Sequence, residues 1–253
     1  MPRTTEHHQT DGLHHRSTRL MASLKVVVSM IGSHTPKHVL TRLDAVLAYL
    51  YVARWMSDHH FRPRTLSRSR DDIIEELAKS ICNDEVLYLE FGVWRGDSTR
   101  VFSKTLTHPA ARLHGFDSFE GLPESWDHIG SGTFGKGNLS TRNLSVHGKI
   151  PTIPDSRVKF FKGWFEETLP NYEFIDSPVI VIFFDADLYS STIYVLNTLK
   201  PHIKPGTILY FDEFWNRHHE LKAFDEFLLA SGMKFELLAV TPGIRQAVFR
   251  RVE

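Results

Sequence analysis

The chain has 253 residues, 42% apolar, 24% charged and 12% aromatic, enough for one sizeable α/β domain with extra helix and unlike a fibrous or wholly disordered protein. Its 30 basic and 30 acidic residues cancel, which argues against a dedicated nucleic-acid or membrane-surface binder. The single cysteine, Cys82, excludes an intramolecular disulfide and fits a reducing, cytoplasmic setting; its place on the apolar side of a predicted helix implies a buried thiol.

Residues 1–20 are polar and rich in His, Thr and Arg, the composition of a disordered tail. The pairs His7-His8 and His14-His15 have no acidic or cysteine partner at the spacing of a closed metal site, and Met21 is an alternative start. The apolar run at 26–28 is too short to cross a bilayer, and no signal-peptide pattern precedes it. Residues 21–84 read as an N-terminal helical cap. Within it Leu40, Leu43, Val46, Leu47, Leu50 and Tyr51 recur at spacings of three and four, the stripe of an amphipathic helix that covers its own sheet or that of a partner in a homodimer. The arginine-rich stretch 62–70 reads as a loop. Asp71 and Asp72 then open a second helix carrying Ile73, Ile74, Leu77 and Ile81, with acids at the positive end of its dipole.

From residue 85 short strands alternate with helices. Strands are predicted at 86–91, 113–117, 158–162, 179–185, 207–212, 235–239 and 246–250, and helices at 98–106, 189–199 and 219–230. The run 179–185 is continuously apolar, as in a strand buried on both faces of a parallel sheet. Seven strands alternating with helices define a doubly wound α/β sheet.

In such sheets ligands sit at the carboxyl ends of the strands, near the switch in strand order. The first strand ends in Glu90-Phe91-Gly92-Val93-Trp94-Arg95-Gly96-Asp97-Ser98. Two glycines permit a tight turn and close backbone approach, and Ser98 is placed to cap a helix whose N-terminus attracts a carboxylate. The spacing is not GxGxxG, and a glycine turn after a strand is equally at home in a purely structural role. The second strand ends in Asp117-Ser118-Phe119, where an acid can accept from ribose hydroxyls or simply cap a turn. Asp185 and Asp187 end the fourth strand, and Asp212 and Glu213 the fifth. Four acids on adjacent strand ends repel unless a positive group lies between them, and a hard divalent cation answers that need; otherwise Asp187 caps a helix and Glu213 faces solvent.

The stretches EFGVWRGDS, GFDSFEGLPE, GWFEETLP and DADLYSST, in that order, resemble the macrocin O-methyltransferase family, which includes the noviose and mycinose O-methyltransferases. The resemblance runs from about Arg70 to the C-terminus. It implies a Rossmann-like class I methyltransferase at 85–253, with N-terminal helices, a lid insertion at about 126–150 and S-adenosylmethionine (SAM) as methyl donor. By the same resemblance Glu90, Gly92 and Gly96 belong to the SAM loop, with Arg95 and Ser98 near the methionine carboxylate. Asp117 serves the ribose, Ser118 and Phe119 lie beside it, and Gly163 and Trp164 lie at the adenine. Asp185 is implied to bind both cofactor and Mg2+ and to act as base, with Asp212 and Glu213 completing the metal site. Relatives carry two aspartates and an aromatic after strand five, where this chain has Asp212-Glu213-Phe214, and the lid is extended at 138–147.

The expected function is therefore magnesium-assisted methylation of a hydroxyl on a sugar or other secondary-metabolite acceptor, with neither nucleic acid nor membrane as partner. A metal-coordinated hydroxyl loses its proton more easily, and base catalysis is worth ~10²–10⁴ in rate. His218 and His219, after strand five, are competing candidates for that base, and His128 and His147 are further candidates in the lid. The rival readings are a nicotinamide dehydrogenase, a transferase using decarboxylated SAM, and a scaffold that keeps only the fold.

Overall fold

The computed structural model describes residues 9–129, 132–140 and 150–253, with side chains from Met21 onward. Valine, leucine, isoleucine and aromatic runs, broken only by Glu90, make the central strands β2 (Val86–Phe91) and β7 (Val179–Phe184), buried along nearly their whole length. Around them lie β3 (Arg112–Asp117), β6 (Val158–Lys162), β8 (Ile208–Phe211), β9 (Phe235–Val240) and β10 (Ala247–Arg251). The order is β1-β9-β10-β8-β7-β2-β3-β6, with β10 antiparallel to both neighbours. The expected seven strands are thus present. An eighth, the two-residue β1 (Thr65–Leu66), adds an edge beside β9.

Alternation of side chains along the strands divides the core in two. Leu87, Leu89, Phe91, Ile182 and Phe184 face one layer, where α2 (Lys37–Asp58), α6 (Tyr189–Leu199) and α7 (Glu220–Ser231) pack. Val86, Tyr88, Val181 and Phe183 face the other, covered by α3 (Arg70–Ser80) and α4 (Asp97–Thr105). Each fully buried apolar side chain of this kind contributes about 1.5–3 kcal/mol. Between β2 and β7 the sheet order reverses, since β2 pairs with β3 on one side and with β7 on the other. That switch opens a crevice at the carboxyl ends of the strands.

The N-terminal region departs from expectation. Helix α1 (Gln9–His34) begins inside the stretch expected to be a disordered tail. Helix α2 forms as expected but buries Ala48, Val52, Trp55 and Met56, whereas Leu40, Leu43, Val46, Leu47, Leu50 and Tyr51 are all exposed. The helix is apolar on two faces: the face with Ala48, Val52, Trp55 and Met56 meets this chain's own sheet, and the expected stripe lies on the other. Trp55 wins the interior because its ring packs on Phe61, Phe214 and Phe224 while its indole N–H donates to Asp225 at 2.7 Å. Helix α3, within the stretch read as the cap, lies on the sheet against α4, with Ile73, Ile74, Leu77 and Ala78 buried. Cys82 lies in the turn after α3 and is only half-buried. Among the described residues no helix is long and apolar enough to cross a membrane.

One buried histidine makes the fold sensitive to acid. His114 on β3 shares a 2.8 Å hydrogen bond with the Tyr172 hydroxyl, and burial, then the charges of Lys159 and Arg112, lower its pKa to about 4. The folded chain therefore refuses a proton that the unfolded chain accepts below 6.5, so stability is complete above that pH and falls as pH drops towards 4. Urea unfolding at pH 7 and pH 4 should show that His114→Phe loses on the order of 3 kcal/mol less between the two pH values than the parent chain.

Candidate active site

The crevice is a cleft of about 340 Å3, within the range of small-molecule sites, and its walls are the loops that follow β2, β3, β7 and β8. The turn after β2 presses its backbone against β7. Gly92 has φ +94°, and a Cβ there would stand 1.9 Å from the Asp185 carbonyl oxygen, so only glycine fits. Gly96, at φ +74°, is the N-cap of α4, a place expected for Ser98, which instead lies buried in the first turn of that helix. Trp94, Phe119 and Asp187 also hold positive φ in loops at this end of the sheet. Such backbone is costly and concentrates where a site demands it.

Carboxylates dominate the cleft. Asp97, Asp117, Asp185, Asp187, Asp212 and Glu213 line it, against the guanidinium groups of Arg70 and Arg95. Asp117 accepts from the backbone N–H groups of Val93 at 2.8 Å, Trp94 at 2.7 Å and Phe119 at 2.6 Å, and so fixes the glycine turn. Burial pushes its pKa up and those three amides pull it down. Asp212 accepts from the Tyr210 hydroxyl at 2.7 Å and from Arg70 Nε at 2.7 Å, while Arg70 Nη2 donates to Asp185 at 2.8 Å. Burial opposes the Arg70 charge, but Asp212 and Asp185 outweigh it and hold the guanidinium protonated. Glu213 turns aside: the Trp215 indole donates to it at 2.6 Å and Arg245 lies 3.6 Å away.

Asp187 is different. Its side chain is buried at the cleft wall, and no group among the described residues hydrogen-bonds its carboxylate. Burial, then the charges of Glu213 and Asp212, raise its pKa well above the ordinary carboxylate range.

Of the residues expected to hold the cofactor, Gly92, Arg95, Ser98, Asp117, Ser118, Trp164 and Asp185 line the cleft. Gly96 and Gly163 shape its loops, and Phe119 packs beneath it. Glu90 also lies beneath, facing α4, where the Thr99 hydroxyl donates to it; burial raises its pKa to about 8. His219, expected as a catalytic candidate, accepts from the Tyr189 backbone N–H at 3.2 Å and so caps α6 rather than lining the cleft. His218 accepts from Arg217 Nε at 3.1 Å on the exposed side. His128 sits on the lid hairpin β4 (Trp126–His128) and β5 (Gly132–Phe134), 3.8 Å from Glu213; His147 lies outside the described residues. Arg70 and Asp187 are the functional candidates that the sequence did not single out. The arginine stood in a stretch with no strand or glycine turn to mark it, and the aspartate carried a capping role as its simpler explanation.

The expected metal ligands do not fit a metal ion as they are arranged. Arg70 takes an oxygen each of Asp185 and Asp212, Glu213 faces Trp215, and among the described residues no group of three His, Cys, Asp or Glu side chains is disposed around a common centre.

The family profile of macrocin-O-methyltransferase (TylF) matches residues 63–249. A tetracenomycin-C rhamnosyl 4'-O-methyltransferase of Streptomyces olivaceus is 31% identical over 143 residues, covering 50% of this chain and 52% of that protein. A demethyldecarbamoylnovobiocin O-methyltransferase of Streptomyces niveus is 25% identical over 196 residues, 70% of each chain. The match thus spans about half the length of the first relative. Among solved structures, a calicheamicin methyltransferase superposes with a TM-score of 0.55 at 25% identity, covering 72% of this chain and 80% of that one. The O-methyltransferase NovP, at 21% identity and a TM-score of 0.51, covers 73% of this chain and 80% of its own and shares the fold.

The two residues Gly92 and Glu90 separate loop geometry from charge. Gly92→Ala should lose ~1–3 kcal/mol of stability and most affinity for S-adenosylhomocysteine, because the turn must back away from Asp185. Glu90→Gln should bind within a few-fold of the parent chain. The folded protein keeps a proton that the unfolded chain releases near 4.5, so stability falls as pH rises through about 8, and Gln removes that fall. Calorimetric titration and thermal melts at pH 7 and pH 9 check both variants.

Proposed function

The chain belongs to the macrocin O-methyltransferase family, and on that premise we propose that it moves a methyl group from SAM to a hydroxyl of a sugar or related secondary-metabolite acceptor. A sugar hydroxyl is the favoured acceptor because the Streptomyces olivaceus relative is named for a rhamnosyl substrate. The observation that carries the reading is a cleft at the sheet's switch point where the Gly92 cradle and the Asp187 carboxylate, without a donor among the described residues, face the same space.

The cleft suits the cofactor in two respects. A side chain at Gly92 would fill the cradle, and the buried indole nitrogens of Trp94 and Trp126 have no partner among the described residues. In this reading Arg95, Ser98 and the N-terminus of α4 receive the methionine carboxylate, and Ser118, Trp164 and Phe165 form the wall for the nucleoside. When bound, SAM supplies an electrophilic methyl group. The remaining task is to free a hydroxyl oxygen and keep water away.

Asp187 is our base for that hydroxyl, in place of Asp185. Asp185 has one oxygen tied to the Arg70 guanidinium, which stabilises its charge and weakens it as a proton acceptor, whereas no donor among the described residues holds Asp187. A raised pKa makes Asp187 a stronger acceptor, and such catalysis is typically worth ~10²–10⁴. Trp126 stacks on Phe134 at 5.2 Å and packs with Leu122 and Leu188 over the cleft, which excludes water from the reacting oxygen. His219 holds the start of α6, and with it the Asp187 loop, in place. No step here is assigned to magnesium, since the expected ligands are engaged elsewhere.

The test is a paired one on a hydroxylated acceptor found by screening. Asp187→Asn should cut kcat ~10²-fold or more while S-adenosylhomocysteine binds within a few-fold. The acidic limb of kcat/KM in the parent chain should lie above the ordinary carboxylate range, with activity rising as pH climbs through it. Full turnover by Asp187→Asn would remove the base; failure of the parent chain to bind S-adenosylhomocysteine would remove the methyltransferase reading itself.

A further inference from the structure

We propose that Arg70 is the resident cation of the acidic site at the ends of β7 and β8, and that Arg70 and a divalent metal ion are mutually exclusive occupants of it. The four acids at 185, 187, 212 and 213 create a demand for positive charge, and this chain meets it from its own sequence. Arg70 is the first residue of α3, and its position is set before any ligand arrives. Ser69 caps the helix, accepting from the Asp72 N–H at 3.2 Å, and the next turn is anchored by buried Ile73 and Ile74. From that fixed start the guanidinium spans two strands, with Nε on Asp212 at 2.7 Å, Nη2 on Asp185 at 2.8 Å and Nη2 also 3.5 Å from the Ser98 hydroxyl.

Geometry makes the occupancy exclusive. A metal ion would need those same carboxylate oxygens at ~2.0–2.6 Å, inside the space that the guanidinium nitrogens fill. A dication and a guanidinium sharing the oxygens would also repel each other at contact distance in a poorly solvated site. The third expected ligand offers no relief, since the Trp215 indole holds one Glu213 oxygen and Arg245 stands by the other. Arg70 must leave before a metal ion can enter. Its side chain is about one third exposed to the cleft, so the motion has somewhere to go only once Asp185 and Asp212 release it.

Arg70 touches the ends of both strands and the first turn of α4, and so acts as a positioning residue for the Asp185–Asp187 loop. Only this consequence rests on the methyltransferase reading; the occupancy itself does not.

The experiment is titration with Mn2+ as probe, followed by electron paramagnetic resonance, on the full chain with and without S-adenosylhomocysteine. The parent chain should take up no Mn2+ at micromolar concentration in either state. Arg70→Met should gain a site about tenfold or more tighter, and adding Asp185→Asn should abolish the gain. Arg70→Lys, which keeps a charge on the same helix turn, should stay closed to the ion and serves as the readout if Arg70→Met fails to fold. Stoichiometric micromolar uptake by the parent chain or by Arg70→Lys would overturn the proposal, as would a folded Arg70→Met that gains nothing. Loss of S-adenosylhomocysteine binding in the parent chain would instead count against the cofactor reading and leave the metal result standing.

Discussion

The bridge from Arg70 to Asp185 and Asp212 is the interaction on which the rest of the site depends. Two carboxylates at the ends of adjacent, fully buried strands carry a large desolvation cost, and their mutual repulsion adds to it. A single guanidinium with a planar fork of donors satisfies both, which an ammonium on a flexible stem does less well. Removing one member of such a buried pair typically costs ~3–5 kcal/mol because the survivor keeps its charge without a partner. The bridge also fixes α3 on the sheet, since it ties the helix start to β7 and β8 directly. Helix α3 is therefore continuous with the sheet and the cleft in a physical sense, even though it precedes the first long strand in the chain.

Charge bookkeeping around the cleft then isolates one residue. Asp117 is held by backbone amides, Asp212 by Tyr210 and Arg70, Asp185 by Arg70, Asp97 by Arg95 and Arg100, and Glu213 by Trp215. Asp187 alone among these carboxylates has no hydrogen-bond donor among the described residues. It also occupies the left-handed region at φ +61°, a conformation that aspartate tolerates better than most residues but still pays for. An acid with no donor among the described residues, on strained backbone at a cleft wall, is the feature on which the proposed base rests. The aromatic lid above it and the α2 side of the cleft are joined through Trp215, which stacks on Tyr49 at 5.0 Å and meets the His128 ring at 6.0 Å.

Much of this was legible in the residues. Strand ends, the glycine turn at 92 and the acids at 117, 185 and 212 follow from short apolar runs broken by glycine and aspartate, a local signal that needs no knowledge of neighbours. What was not legible is where side chains point in the folded chain. Which face of α2 meets this chain's own sheet was not legible, because a helix apolar on two sides carries no local mark of it. His219 looked like a base because it follows a strand, yet its ring nitrogen serves the α6 backbone. Glu90 sits in the cofactor motif, but strand alternation turns it towards Thr99 and away from the cleft.

By itself the sequence determined the element types, their order, and the loops at which a ligand could be bound, because hydrophobic period and turn chemistry are properties of neighbouring residues. Tertiary structure alone decided how the charges pair. Arg70 meets Asp185 and Asp212 across 115 and 142 residues of chain, and only the lateral order of strands brings β7 and β8 side by side beneath the start of α3. Electrostatic partnership depends on distance in space and on burial, and neither is written in the spacing of residues along the chain.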